Sequence, residues 1–154
     1  MNKLTTRIKL GFGAIALATA VPAMSQAEPY KDYTPSEEVV EMTLVRVDEG
    51  QSDNYLSGLR KTWVAANEID QKLGRLKNFS IYMVPYGDNE FNIVLIKVFT
   101  NTDAIAPNKA RYMEFVEAYG KANMDAGNKT QIEVYNRIRE IKGTYMLRKV
   151  TFNM

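Results

Sequence analysis

The first 27 residues of the chain carry a different hydrophobic pattern from everything that follows. Lys3, Arg7 and Lys9 precede an apolar run, Leu10–Val21, that is rich in Ala, Leu and Gly. Pro22 breaks any helix at its end. Ser25-Gln26-Ala27 then places small residues at the two positions a signal peptidase reads. A run of 12 apolar residues is well short of the roughly 20 that a bilayer-spanning helix requires. The segment therefore reads as a signal peptide, residues 1–27, removed to leave a chain that begins at Glu28, with no membrane insertion after cleavage. Residues 28–37 are polar, contain Pro29 and Pro35, and form an extended N-terminal lead-in.

From residue 38 to 154 the pattern predicts one domain. Glu38–Val47 alternates, with Val40, Met42 and Leu44 on one face and Val39, Glu41, Thr43, Val45 and Val47 on the other. One face is thus wholly apolar and the other mixed. After Asp48-Glu49-Gly50, Ser52 is placed to cap a helix that runs to about Leu73. Leu56, Leu59, Trp63, Ala66 and Leu73 share one stripe of that helix, and Gly74 ends it. Asn78–Tyr86 and Glu90–Thr100 read as a hairpin around Gly87-Asp88-Asn89. Its second strand, Phe91–Phe99, is almost continuously apolar, as a strand covered on both faces must be. A helix is expected from about Pro107 to Met124, then a loop at Asp125–Asn128, then an accessory helix over Thr130–Ile141. Gly143 ends that helix, and Thr144–Phe152 is the last strand.

The order β-α-β-β-α-(α)-β folds, through right-handed crossovers, into a four-stranded antiparallel sheet with helices on one face. This is an α+β, ferredoxin-like βαββαβ arrangement with an accessory helix before the last strand. Such helices leave one sheet face bare, yet the Phe91–Phe99 strand is apolar on both. A second copy of the chain is the expected cover, and about 800 Å² per partner is the usual extent of a stable interface.

Composition narrows the chemistry. The chain has no Cys and no His, which removes disulfides, thiol nucleophiles, the commonest general base and the commonest zinc ligand. No metal site or cofactor is expected. The acidic stretch Asp48–Asn54 lacks the glycine and the final acid of a calcium loop. The full chain carries 20 Lys+Arg against 18 Asp+Glu. The leader holds three of the bases and no acid, so the remainder carries 17 against 18, net −1. A near-neutral surface with mixed signs offers nothing to nucleic acid. Export without Cys suits a periplasm, or secretion, by a domain that relies on core burial. Asn78-Phe79-Ser80 and Asn128-Lys129-Thr130 match the glycosylation pattern, which has meaning only in a eukaryotic secretory route.

The element order, the Trp-bearing helix after a Gly turn, Phe91-Asn92-Ile93-Val94-Leu95-Ile96 and the closing Arg139-Glu140-Ile141-Lys142-Gly143-Thr144-Tyr145 resemble the dimeric α+β barrel superfamily. Within it, Tyr30-Lys31-Asp32-Tyr33, Tyr55-Leu56-Ser57-Gly58-Leu59 with Trp63, and Pro107-Asn108-Lys109 before Tyr112 look like an exported, uncharacterised bacterial group. The resemblance implies a homodimer and a ferredoxin-like fold. Superfamily members include cofactor-free quinol monooxygenases, haem-degrading monooxygenases and lactone isomerases. The haem-degrading branch uses an Asn, a Trp and an axial His, whereas here Trp63 lies in the first helix and His is absent.

Polar side chains inside strands are the site candidates: Glu41, Thr43, Asn78, Ser80, Tyr82, Lys97 and Arg148, with Trp63 as a ring platform. Glu41 and Lys97 share parity on strands expected to be neighbours and are placed to pair. The site is expected in a cavity between sheet and partner, taking a small apolar or aromatic ligand bound by Glu41, Tyr82, Lys97, Arg148 and Trp63. The competing reading is a cofactor-free monooxygenase or isomerase in which Tyr82 or Glu41 moves a proton. No catalytic residue is assigned.

Overall fold

The structure, a computed structural model, describes residues 26–87 and 90–154. The leader, apart from its last two residues, and the turn residues Asp88-Asn89 lie outside the described residues. The strands are β1 (Tyr33–Pro35), β2 (Val39–Val47), β3 (Leu76–Met83), β4 (Ile93–Phe99), β5 (Arg139–Leu147) and β6 (Val150–Phe152). Four of them form an antiparallel sheet in the order β3-β4-β2-β5, which is ferredoxin-like. In the lead-in, residues 30–32 form a turn, with Tyr30 at φ 65° and the Asp32 N–H donating to the Glu28 carbonyl, so the strand is confined to β1, which pairs with β6 in a separate two-stranded ribbon.

The helices do not follow the expected outline. The first runs as α1 (Ser52–Leu59), a π-helical turn (Arg60–Val64) and α2 (Ala65–Lys72). Its N-cap is Gln51, with no side-chain capping bond, so Ser52 is a first-turn residue rather than the cap. Gly74 closes the helix at φ 72°, as its left-handed freedom allows. The expected helix to Met124 is two: α3 (Lys109–Tyr119) stops at Gly120, whose φ of 84° excludes helix continuation, and α4 (Lys121–Thr130) starts afresh. The expected loop at Asp125–Asn128 is helical. Its polar composition reflects exposure, and the Lys121–Asp125 pair at 2.7 Å supports the turn. A second π-helical turn (Gln131–Tyr135) and the short α5 (Asn136–Ile138) follow. β5 then begins at Arg139, so Gly143 lies within a strand instead of ending a helix.

The register sorts the strand residues. Val45, Thr43, Glu41 and Val39 stand opposite Ile93, Leu95, Lys97 and Phe99, and these in turn opposite Met83, Ile81, Phe79 and Leu76. This face carries the helices. Its core is Val45, Val47, Ile93 and Leu95 packed with Tyr55, Leu59 and Tyr135, flanked by Leu56, Trp63, Ile81 and Ile138. Burying an aliphatic side chain of this kind contributes about 1.5–3 kcal/mol. The ladder ends on a side chain: Asn92 Nδ2 donates to the Val47 carbonyl, and its Oδ1 accepts from the Val47 N–H, both at 2.8 Å.

The other face bears Val40, Met42 and Leu44, paired with Val98, Ile96 and Val94 on one side and with Leu147, Tyr145 and Gly143 on the other. Among the described residues, no helix lies on it. Gly143 is needed there because a Cβ would stand 2.9 Å from the Tyr145 ring. Between Leu44 and Val45 the β2–β5 register slips, with Lys142 as the extra residue of a bulge, so that Val47 stands opposite Arg139. Among the described residues, no helix is long and apolar enough to cross a membrane.

Candidate functional site

The five side chains expected to form one site lie in separate places. Glu41 and Lys97 do pair, at 2.9 Å, and are about a fifth and a quarter exposed. They sit on the helix-bearing face, opposite each other on β2 and β4. The expectation of a pocket between sheet and partner is therefore corrected for this pair: the mixed face of β2 is the one the helices cover. Tyr82 stands opposite Val94 on the bare face, 56% exposed. Asn78 and Ser80 share that face at the edge strand. Arg148 lies between β5 and β6, donating to the Ser36 carbonyl at 3.1 Å and the Thr102 hydroxyl at 2.7 Å. It ties the ribbon to the turn after β4. Trp63 alone of the five lines a cavity in the helix layer.

That cavity, about 260 Å³, lies in the helix layer among the first π turn, α3, α4 and the second π turn. Leu59, Trp63, Ala66, Phe115 and Met124 give it apolar walls. Thr62, Tyr119, Tyr135, Arg139 and the amides of Asn123, Asn128 and Gln131 supply the polar lining. Trp63 is fixed edge-on against Phe79 of the sheet, with ring centroids 5.6 Å apart.

The two π turns build the polar wall. A π turn disturbs the regular i→i−4 ladder, and such turns recur at functional sites. Side chains satisfy the carbonyls around the first one. Thr62 Oγ1 donates to the Gly58 carbonyl at 3.1 Å, and Asn67 Nδ2 to the Trp63 carbonyl at 2.7 Å. This explains why Asn67 is the buried polar residue of α2, at 4% exposure. The Thr62 hydroxyl also bonds the Tyr135 hydroxyl at 2.8 Å, joining the first π turn to the second. Tyr135 approaches so closely that a Cβ at Gly58 would stand 2.6 Å from its Oη. Tyr55 meets Tyr135 edge-to-face at 5.1 Å, and Arg139 donates to the Tyr55 hydroxyl while lying over both rings. Burial raises both phenols above the ordinary tyrosine value, with Arg139 opposing the rise. Both stay protonated at neutral pH, as neutral hydrogen-bonding groups.

A second hollow, about 220 Å³, is lined by Asp70, Arg75, Phe99 and Arg111 among others. Two of its charges, Asp70 and Arg75, are committed to each other, and the Arg111 guanidinium donates to the Ala106 carbonyl at 2.8 Å. Arg75 bonds Asp70 at 3.2 Å, Glu114 at 2.7 Å and the Arg111 carbonyl at 2.7 Å. Burial pushes the Asp70 carboxyl above its ordinary value, against the pull of Arg75 and then Lys97. Among the described residues, no cluster of acids could hold a metal ion.

Comparison with known proteins assigns this chain no chemistry. No family profile matches the sequence, and no curated protein does. Chains of similar fold are known from bacteria. They include SnoaB, a cofactor-independent oxygenase from Streptomyces nogalater, at 13% identity over 73% of this chain and 92% of that one, TM-score 0.44. HapK from Hahella chejuensis is 12% identical over 72% and 91%, TM-score 0.45. A dimeric ferredoxin-like protein of unknown function from Bacteroides fragilis is 12% identical over 75% and 98%, TM-score 0.42.

Sequence reasoning missed Tyr55, Thr62, Tyr135 and Arg139 as site residues. Two signals were present. Gly58 interrupts a helix interior, which asks for a close neighbour. Tyr135 lies on an apolar stripe, where its hydroxyl must find a partner.

Proposed function

We propose that this chain is an exported, periplasmic homodimer that binds a small, mainly apolar molecule in the helix-layer cavity. One observation carries the binding reading: apolar walls that include Trp63 meet the linked hydroxyls of Thr62 and Tyr135 across a space of about 260 Å³. Ligand sites combine this kind of apolar lining with a few placed polar groups. The space holds roughly nine waters' worth of volume, at about 30 Å³ each, which suits one or two fused rings.

Dimerisation follows from the bare sheet face. Val40, Met42, Leu44, Val94, Ile96 and Val98 lie side by side on its two central strands. A contiguous apolar area of this extent is a protein-contact surface rather than a solvent surface, and a self-complementary two-fold pairing buries it in both copies. Export follows from the leader, with Glu28 as the first residue of the processed chain.

Native mass spectrometry of protein purified from the periplasm tests all three parts. The expected species is a dimer of chains that begin at Glu28 and carry a small molecule, which Ala66→Trp removes by filling the cavity while the dimer persists. A lone subunit overturns the assembly, an intact leader overturns the export, and a ligand retained by Ala66→Trp overturns the placement.

A further inference from the structure

Arg139 is the single ionised side chain that lines the helix-layer cavity, whose lining contains no carboxylate. Among the described residues, no ion pair includes it. Its contacts are neutral. It donates to the Tyr55 hydroxyl and lies over the rings of Tyr55 and Tyr135, 5.2 and 4.7 Å from their centroids. Arg75, after α2, differs in having carboxylates from Asp70 and Glu114 on its guanidinium. A guanidinium presents five N–H donors in a fixed fork, and the Tyr55 hydroxyl takes one. A partly buried cation without a counter-ion is costly unless something supplies the charge. The ring faces hold the planar group flat, which orients the fork instead of neutralising it.

We propose that the ligand of this cavity is a small aromatic monocarboxylate whose carboxylate docks on the Arg139 fork. The assignment rests on reading the cavity as a binding site, and it names the class of ligand. A carboxylate would supply the one negative charge that balances this lining, which carries one positive charge and no negative one. Carboxylate geometry fits the guanidinium in two parallel hydrogen bonds. The hydroxyls of Thr62 and Tyr135 stand on the same wall and can hold a further polar substituent. The ring rests against Trp63 and Phe115. The amides of Asn123, Asn128 and Gln131 add hydrogen-bonding capacity without charge.

The test compares two probes of one shape, 1-naphthoate and 1-naphthamide, by calorimetry on the processed full chain. The indole N–H resonance of Trp63, the only tryptophan, reports where they bind. Charge-assisted hydrogen bonding predicts that the acid binds about 10- to 100-fold more tightly than the amide. Both shift the Trp63 signal. Arg139→Gln is expected to abolish the preference, whereas Arg139→Lys retains part of it because charge survives without the fork. Equal binding of acid and amide to the wild type, or a preference that survives Arg139→Gln, overturns the anionic assignment while leaving the cavity as a binding site. Failure of both probes to bind at millimolar concentration overturns both readings. Should Arg139→Gln not fold, the acid-to-amide ratio in the wild type decides alone.

Discussion

The two faces of the sheet are built from the same strands and meet opposite fates. On the helix-bearing face, alternate positions include Glu41, Thr43 and Lys97, and each polar group has a partner: Glu41 pairs with Lys97, and Thr43 bonds Thr144 at 3.4 Å. On the bare face, the two central strands offer only aliphatic side chains and Met42, apart from Arg46 at the end of β2. The contrast shows where specificity and where affinity reside. The covered face tolerates polar groups because each finds a partner on the neighbouring strand. An uncovered apolar face has nothing to satisfy and gains from any matching surface, most simply its own copy.

The largest expected effect is on the bare face. Ile96→Lys, at the middle of β4, puts an unpaired cation into the proposed contact twice by symmetry, and burying such a charge costs several kcal/mol per ion. Sedimentation velocity at micromolar concentration should show dimer for the wild type and monomer for the variant, with naphthoate binding retained. A monomeric wild type would remove the contrast between the faces altogether. Next in size is Tyr135→Ala on the covered face. It empties the junction of the two π turns and should destabilise by about 3–5 kcal/mol in urea unfolding, the range for losing a large buried ring. An effect below about 1 kcal/mol would mean that the turns do not depend on each other.

Gly58→Ala is expected to cost about 1–3 kcal/mol, since the added methyl meets the Tyr135 hydroxyl and packed interiors resist extra volume. Combined with Tyr135→Ala, which removes the obstacle, the same change should become neutral or stabilising, because Ala suits a helix better than Gly. A penalty that persists in the double variant would place the strain elsewhere. The smallest effect concerns pH. Asp70 has a raised folded value, so the folded state binds the extra proton between the unfolded and the folded pKa. Its contribution to stability is therefore greatest below the ordinary carboxylate range and declines as pH rises through the folded value. The difference between wild-type and Asp70→Asn unfolding profiles should fall in that direction, and a rise would reverse the assigned cause.

Much of the fold was legible from residue order. Val39–Val47 and Ile93–Phe99 announce themselves by apolar content, and Gly74 marks a helix end because the chain turns left-handed there. The helical C-terminal half was less legible. Gly120 and Gly127 look alike in sequence, yet the first breaks a helix and the second lies inside one, as the packing around them decides. The candidate site was harder still. Search among strand-interior polar residues found Glu41 and Lys97, whose pairing follows from parity. Thr62, Trp63, Gln131 and Tyr135 of the cavity instead come from two π turns, whose extra residue per turn leaves no mark in a 3.6-residue pattern. Trp63 was reached by both routes because a large ring on an apolar stripe is conspicuous whichever wall it serves.

Strand parity is strict, and the bulge at Lys142 shifts it by one. In an unbroken ladder running on from Leu44 and Gly143, the residue facing Val47 would be Glu140 rather than Arg139. Bulging Lys142 out thereby sets a guanidinium, where a regular ladder would set a carboxylate, beside Tyr55 and Tyr135. Drawing Lys142 back into the ladder would turn Glu140 toward the recess in place of Arg139, whereas deleting Lys142 would straighten the strand and keep Arg139 opposite Val47, so the irregularity itself selects the charge.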